Sequence, residues 1–192
     1  MTEFEDPAIQ HPYITTRSNR KVWLDRMKVE DVRIEDIVHS LAMQCRYVGH
    51  SSRFYSVAEH SQLVAWLIAQ DHQDRDGEYL QLCGLLHDAG EAYQGDQSRV
   101  LKVNVPEIKT IQHSIEVVVN LALGIPHPGA PIWDIVKQYD IIALHLEALK
   151  EQGLPVPEPR SRGELVVAAG SQGGSDGRGP ILLGPRFLRR AD

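Results

Sequence analysis

The spacing of apolar and polar residues along the chain predicts five helices, and no strand pattern of comparable strength occurs before residue 160. Apolar residues recur every three or four positions, as on the buried face of a helix, within 33–43, 57–68, 79–93, 107–123 and 131–149. Ser56 with Glu59 three residues later is a capping-box signature for the second helix, and Gly95 is placed to close the third. The body of the chain is therefore predicted to be all-α.

Both ends of the chain differ from this helical body. Residues 1–20 are polar and lack a helical period, which indicates an irregular N-terminal arm. Residues 161–179 are rich in Gly, Ser, Arg and Asp, a composition typical of flexible segments. Two short apolar runs in the C-terminal part could pair with each other as strands or dock on a neighbour. The sequence does not decide between these alternatives. We predict a helical domain over 1–155 and a Pro/Gly-rich tail over 156–192, partly disordered or docking.

Length, charge and cysteine content narrow the class of protein. The 192 residues suffice for one compact domain, and two cysteines are too few for a disulfide framework. The net charge of −6 disfavours a nucleic-acid partner, because proteins that bind a phosphate backbone usually carry a basic surface. No apolar run is long enough to cross a bilayer, and the N-terminus lacks a basic, apolar secretion signal. We expect a cytoplasmic protein without a membrane partner.

Ionisable side chains interrupt the predicted core faces of three helices. They are His60 in the second helix, the pair His87-Asp88 in the third, and Asp140 in the fifth. Burying such a group is costly unless it finds a partner, and several of them can satisfy one another by binding a divalent cation. Two imidazoles and two carboxylates suit Mn, Fe, Co, Ni or Zn. Glu91 shares a helix face with His87, whereas Asp88 is predicted to point about 100° away.

These residues occur in the order H…HD…D, which resembles the pattern of the HD superfamily of metal-dependent phosphohydrolases, an all-α family. Three blocks extend the resemblance, with the sequences RYVGH at 46–50, RFYSVAEHS at 53–61 and HDAGEAYQGD at 87–96. They are similar to bacterial 5′-deoxynucleotidases, and more so to phage-type HD hydrolases, some of which are dATP triphosphohydrolases. The resemblance covers residues 13–150.

The resemblance implies a divalent metal, which we expect to be Co, Mn, Zn or Mg. A second Mg bound with the phosphates of the substrate is a further option. The ligands of the first ion would be His60, His87, Asp88 and Asp140. Such an ion polarises a phosphate oxygen and lowers the pKa of a water molecule.

The resemblance also implies roles around the metal. Glu91 corresponds to the catalytic acid/base carboxylate, and Asp96 to a carboxylate near the sugar or the attacking water. Arg46 and Tyr47 match a pair that contacts phosphate and nucleoside, and Lys102 matches a basic residue that meets the phosphate chain. Related sequences read Pro-Ser-Pro-Leu-Lys where this chain has Gln97-Ser-Arg-Val-Leu-Lys, which leaves the base preference open.

Histidine and tryptophan supply weaker candidates. His50 is a candidate for phosphate contact, although a loop histidine is as often structural. Trp23 could stack on a base, but anchoring of the arm to the core is the favoured interpretation. Trp66 and Trp133 lie on apolar helix faces and are expected in the core.

The resemblance favours a dNTP triphosphohydrolase, with dATP and stepwise removal of phosphate among the options. A 5′-deoxynucleotidase that acts on dNMP is the alternative, and a non-catalytic metal- or nucleotide-binding module is a second one. Ala92 follows Glu91 where alarmone hydrolases carry an acidic residue, and no GYP signature of cyclic-dinucleotide phosphodiesterases is present. The expected partner is a small-molecule nucleotide, the expected assembly a homo-oligomer, and the expected setting a bacterial or phage-infected cytoplasm.

Overall fold

The computed structural model describes residues 12–151, together with the backbone of two short strands beyond them. Within this part of the chain the helices are α1 (Ile34–Met43), α2 (Val57–Asp71), α3 (Arg75–Leu86), α4 (Glu91–Gln94), α5 (Arg99–Asn104), α6 (Glu107–Leu123) and α7 (Ile132–Glu151). Four strands of two residues each form two antiparallel pairs, β1 (Ile14–Thr15) with β2 (Lys21–Val22) and β3 (Leu165–Val166) with β4 (Leu182–Leu183). The all-α prediction is confirmed, and the predictions for the rest of 152–192 lie outside the described residues.

Local sequence signals account for the ends of the long helices. The Ser56 hydroxyl accepts a hydrogen bond from the backbone N–H of Glu59 at 3.1 Å, and the Glu59 carboxylate accepts one from the Ser56 N–H at 2.9 Å. This capping box satisfies N–H groups that have no partner inside α2. Gly124, in the left-handed conformation, ends α6.

The predicted third helix is divided in two. The α-helix ends at Leu86, and residues 87–90 form a tight turn with hydrogen bonds from Ala89 N–H to Leu86 O (3.0 Å) and from Glu91 N–H to Asp88 O (2.9 Å). The separate helix α4 follows and ends at Gly95, whose φ of +82° favours glycine. The periodic apolar pattern runs through this break, so it could not reveal the break.

The N-terminal arm and α5 also differ from the prediction. Residues 12–20 are not wholly irregular, since β1 pairs with β2 and Val22 is completely buried. Helix α5 lies outside the five predicted helices, and its apolar residues Val100 and Val103 are largely exposed.

Two apolar clusters meet along α2. One packs α2 against α3 and α7 and contains Val64, Leu67, Ile68, Leu80, Cys83, Val136, Tyr139, Ile142 and Ala143. The other packs the start of α2 against α1, α4, α6 and the N-terminal segment and contains Val22, Ile37, Leu41, Val57, Ala89, Tyr93, Ile115 and Val119. Each fully buried Leu or Ile contributes about 1.5–3 kcal/mol. His60 lies on α2 between Val57 of one cluster and Val64 of the other.

Trp66 and Trp133, which lie on helix faces, differ in how far they are buried. Trp133 packs at the edge of the first cluster, whereas Trp66 is 56% exposed, so its expected place in the core is wrong. No helix in the described ranges is both long enough and apolar enough to span a bilayer.

Candidate metal centre

Three elements bring the predicted metal ligands together. His60 comes from the middle of α2, His87 and Asp88 from the turn that follows α3, and Asp140 from α7. The Nε2 atoms of the two imidazoles lie 3.3 Å apart. Oδ2 of Asp88 is 3.2 Å from Nε2 of His87, and Oδ1 of Asp140 is 3.2 Å from Nε2 of His60. Four donor atoms from distant parts of the sequence thus converge on one small volume.

The spacing of these atoms fits a shared divalent cation. Ligand atoms bound at about 2.0–2.2 Å to one ion lie roughly 3.0–3.5 Å from each other. The three distances above fall in that range, while His60 Nε2 to Asp88 Oδ2 is 3.7 Å and His87 Nε2 to Asp140 Oδ1 is 4.0 Å. His60, His87 and Asp88 offer ligand atoms that all lie within 4.8 Å of one another. These three side chains could hold a metal ion, and Asp140 stands beside them.

The turn after α3 explains how two adjacent residues reach one site. A regular helix predicts that Asp88 points away from the face of His87, but their ligand atoms are 3.2 Å apart. The direction in which neighbouring residues leave the backbone therefore does not decide where the ends of their side chains lie. The predicted divergence of Asp88 from His87 is therefore wrong.

Each imidazole is oriented by a contact of its other nitrogen. Nδ1 of His87 lies 2.8 Å from the carbonyl oxygen of Gly84, which can only accept a hydrogen bond, so Nδ1 carries the proton. Nδ1 of His60 lies 2.6 Å from Oε1 of Glu147. In the neutral imidazoles the lone pair is then on Nε2, which faces the cluster. Such outer contacts fix the tautomer and the ring orientation of metal-binding histidines.

Glu147 is a buried residue of the site that the sequence pattern does not predict. Its carboxylate accepts hydrogen bonds from the hydroxyls of Tyr47 (2.6 Å) and Tyr55 (2.9 Å), and Nε of Arg46 lies 3.4 Å from it. Burial alone would raise the pKa of Glu147, but the hydrogen bond with His60 and the nearby charges lower it, so the group is ionised. The only sequence signal was its position two helical turns after Asp140.

The metal-ligand candidates shift one another's pKa values. Burial alone would lower the pKa of His87, but the carboxylates of Asp88 and Asp140 raise it to about 9. Burial alone would raise the pKa of each carboxyl, but the imidazoles hold both well below their usual range. The carboxylates are therefore ionised at neutral pH, as metal ligation requires.

Glu91 lies beside the cluster in a different electrostatic state. It is 4% exposed, and its Oε1 is 3.4 Å from Nζ of Lys102. Its Oε2 has no hydrogen-bond partner among the residues that the structure describes. Burial, followed by the charges of Asp88 and Asp96, raises the pKa of Glu91 well above its usual range. Burial also raises the pKa of Asp96. A carboxyl that keeps its proton near neutral pH suits general acid–base chemistry.

A second missed residue, Gln44, holds the backbone that carries these carboxyls. Its Nε2 donates to the carbonyl oxygen of Glu91 at 3.0 Å and to the Ser40 hydroxyl at 2.8 Å, and its Oε1 accepts from the backbone N–H of Asp96 at 2.9 Å. Gln44 follows α1 in what the sequence predicts to be a loop. A polar loop residue gives no local sign of such contacts.

The remaining predicted site residues divide into near and distant groups. Arg46 is buried beside the cluster, with NH1 3.7 Å from Oδ2 of Asp88, and Tyr47 is tied to Glu147. The His50 side chain is exposed. Trp23 lies in the N-terminal segment, where its ring contacts Tyr13 and the Arg26 guanidinium.

A cavity of about 240 Å³ opens next to the cluster between α6 and α7. Three of the metal-ligand candidates contribute to its wall, and the other lining residues are Lys102, Gln112, Glu116, Asn120, Pro128, Trp133, Val136 and Lys137. Trp23, Arg46, Tyr47 and His50 are not among them. A small molecule in this cavity would touch both the cluster and Lys102.

Comparison with known proteins gives a family match and two similar bacterial chains. The model of the family described as "HD domain" matches residues 56–192. The chain is 35% identical over 136 residues to the uncharacterized protein YfdR of Escherichia coli (strain K12), covering 70% of each chain. It is 36% identical over 132 residues to the uncharacterized protein RCAP_rcc00048 of Rhodobacter capsulatus, covering 67% of each.

Proposed function

The chain belongs to the HD domain family, which generally consists of metal-dependent phosphohydrolases, and from this premise we propose that it removes phosphate from deoxynucleotides, with a deoxynucleoside triphosphate as the favoured substrate. The observation that carries the proposal is the position of Glu91, a buried carboxyl with raised pKa, beside the His60–His87–Asp88 cluster. A metal-ligand cluster alone would also fit a structural site. A protonatable carboxyl next to it adds the means to move a proton.

In this proposal, the cluster and Asp140 would hold a divalent metal ion, which would supply the charge that polarises the phosphate oxygens. Glu91 then positions the attacking water or exchanges a proton with it and with the leaving oxygen, which its raised pKa permits. Lys102, whose Nζ lies 3.4 Å from the Glu91 carboxyl, offsets charge on the non-bridging oxygens. Arg46, next to Asp88, assists in the same way, and Asp96 orients the water or the sugar.

The choice between triphosphate and monophosphate rests on the lysines near the cluster. Lys102 and Lys137 both line the cavity between α6 and α7, and Lys137 contacts the Asp140 carboxylate. Two ammonium groups match the charge of a polyphosphate chain better than that of a single phosphate. This supports the triphosphate, while hydrolysis of dNMP stays the alternative.

The test is a screen of metal and nucleotide with analysis of the products. Chelator-treated protein would be supplied with Mn, Co, Zn or Mg and each dNMP and dNTP, and the products separated by chromatography. We expect metal-dependent turnover of dNTPs, abolished in His87→Ala. Turnover of dNMPs alone would establish the 5′-nucleotidase alternative. Tight metal binding without turnover of any nucleotide would contradict the proposal and favour the non-catalytic module.

A further inference from the structure

A polar stripe runs along the cavity-facing side of α6. Gln112, Glu116 and Asn120 follow one another at intervals of four residues, and all three line the cavity beside the metal cluster. The neighbouring positions Ile115 and Val119 are completely buried in the core. The helix is therefore firmly packed, and it presents polar side chains where it borders the cavity.

The stripe is held in place by close packing and by its neighbours. A Cβ atom at Gly90 would lie only 3.3 Å from Cγ of Glu116, so α6 packs tightly against the turn that carries His87 and Asp88. The amide of Asn120 donates to the carbonyl oxygen of Pro126 at 2.8 Å. In contrast, the side chains of Gln112 and Glu116 form no hydrogen bond with any other residue in the described part of the chain.

The cavity also has an apolar portion on the opposite side. Trp133 and Val136 come from α7, and Pro128 from the segment that precedes it. The indole N–H of Trp133 donates to the carbonyl oxygens of Pro126 (3.3 Å) and His127 (2.9 Å), which fixes the ring in place. Apolar surface with a few placed polar groups is typical of a pocket for a small organic ligand.

We infer that the Gln112–Glu116–Asn120 stripe is the wall that binds the nucleoside end of the substrate, with Glu116 accepting a hydrogen bond from a sugar hydroxyl or an exocyclic amino group. This inference rests on the proposed function and adds a specificity determinant to it. A carboxylate accepts from O–H and N–H donors but repels phosphate, so the phosphate chain belongs on the side of Lys102 and Lys137. The Trp133 and Pro128 surface then packs against the base.

The proposal makes Glu116 a determinant of substrate preference. A hydrogen bond to a charged acceptor is worth enough to change kcat/KM about 10- to 100-fold. Glu116→Gln should therefore lower kcat/KM for dATP by about that factor while metal content is unchanged. Inhibition by tripolyphosphate, which lacks a nucleoside, should stay the same. Glu107→Gln makes the same chemical change at an exposed position of α6 and should alter neither quantity.

Substrate analogues identify the donor that Glu116 meets. If the donor is the 3′-hydroxyl, 2′,3′-dideoxyadenosine triphosphate should be insensitive to Glu116→Gln. If it is an exocyclic amine, dTTP should be the insensitive substrate. Gln112→Ala, measured with the same nucleotides, tests the stripe independently. If Glu116→Gln has a lowered melting temperature, Gln112→Ala takes its place in the test.

Two results would overturn the inference. One is an unchanged preference in both stripe variants, and the other is an equal loss for nucleotides and for tripolyphosphate, which would place Glu116 at the phosphates. Failure of the proposed function is separable, because it shows as absence of turnover in the wild-type protein. In that event calorimetric binding of dATP with Mn²⁺, compared between wild type and Glu116→Gln, still decides whether the stripe binds a nucleoside.

Discussion

Nδ1 of His60 lies 2.6 Å from Oε1 of Glu147, while Nε2 of the same ring lies 3.2 Å from Oδ1 of Asp140. Both carboxylates belong to α7, two turns apart. A single imidazole, completely buried on α2, is thus held between an outer carboxylate and a metal-ligand candidate. This arrangement makes α7 responsible for the orientation of His60 as well as for a ligand of its own.

Glu147→Gln should weaken metal binding without removing any ligand. The amide cannot hold the His60 ring as an ionised carboxylate does, and loss of such an outer contact typically costs about 10- to 100-fold in metal affinity. The measurement is competition with a chromogenic chelator for Zn²⁺ or Mn²⁺. Tyr55→Phe removes another hydrogen bond of Glu147 but leaves the contact with His60, so its affinity should change far less. Equal losses in the two variants would show that the effect is structural.

The long helices could be predicted because their causes are local. The capping box of α2 is formed by Ser56 and Glu59, which are three positions apart. The apolar face of α6 likewise depends on residues only three or four positions apart. The role of Glu147 has no such local cause. Its partners include Tyr47 and His60, which are 100 and 87 residues away in the chain. A glutamate near the end of an amphipathic helix looks the same in sequence whether it is exposed or, as here, 2% exposed.

Glu91→Gln should lower turnover strongly while the metal stays bound. Glutamine keeps the size of the side chain but cannot take up or release a proton, and loss of general acid–base catalysis typically lowers kcat by about 10²–10⁴-fold. Metal content, measured by elemental analysis after gel filtration, should match that of the wild type because the Glu91 carboxylate pairs with Lys102 and is not part of the His60–His87–Asp88 cluster. Loss of metal together with activity would instead assign Glu91 to the ligand set.

The stability of the metal-free protein should depend on pH through Glu91. Burial raises the pKa of Glu91 in the folded state well above the value of about 4.3 expected for the unfolded chain. Between these two values the folded state binds more protons, so the free energy of unfolding falls as pH rises. Glu91→Gln mimics the protonated form at every pH. Its melting temperature in chelator should approach that of the wild type as the pH falls to about 4 and exceed it increasingly from there up to pH 8.5. A difference that does not vary with pH would contradict this.

The metal-ligand candidates were predictable for a different reason from the helices. His60, His87, Asp88 and Asp140 stood out because ionisable residues interrupted apolar faces, a mismatch visible in the sequence alone. Gln44 and Gln112 cause no mismatch, because polar residues are expected at the end of a helix and along its surface. Their place at the site depends on how α1 and α6 pack, which the sequence pattern does not determine.

Gln44→Leu should lower turnover more than it lowers stability or metal binding. The substitution removes the hydrogen bonds that join Gln44 to the backbone of Glu91 at 3.0 Å and of Asp96 at 2.9 Å, while leaving the ligand side chains untouched. A misplacement of the proposed catalytic carboxyl by about 1 Å is sufficient to cost about 10²-fold in rate. The test compares kcat, KM and metal affinity of Gln44→Leu with those of Gln44→Glu, which restores an acceptor for the Asp96 N–H but no donor for the Glu91 carbonyl. We expect kcat to fall in both and least in Gln44→Glu. A change confined to KM would show that Gln44 serves substrate binding and does not position Glu91.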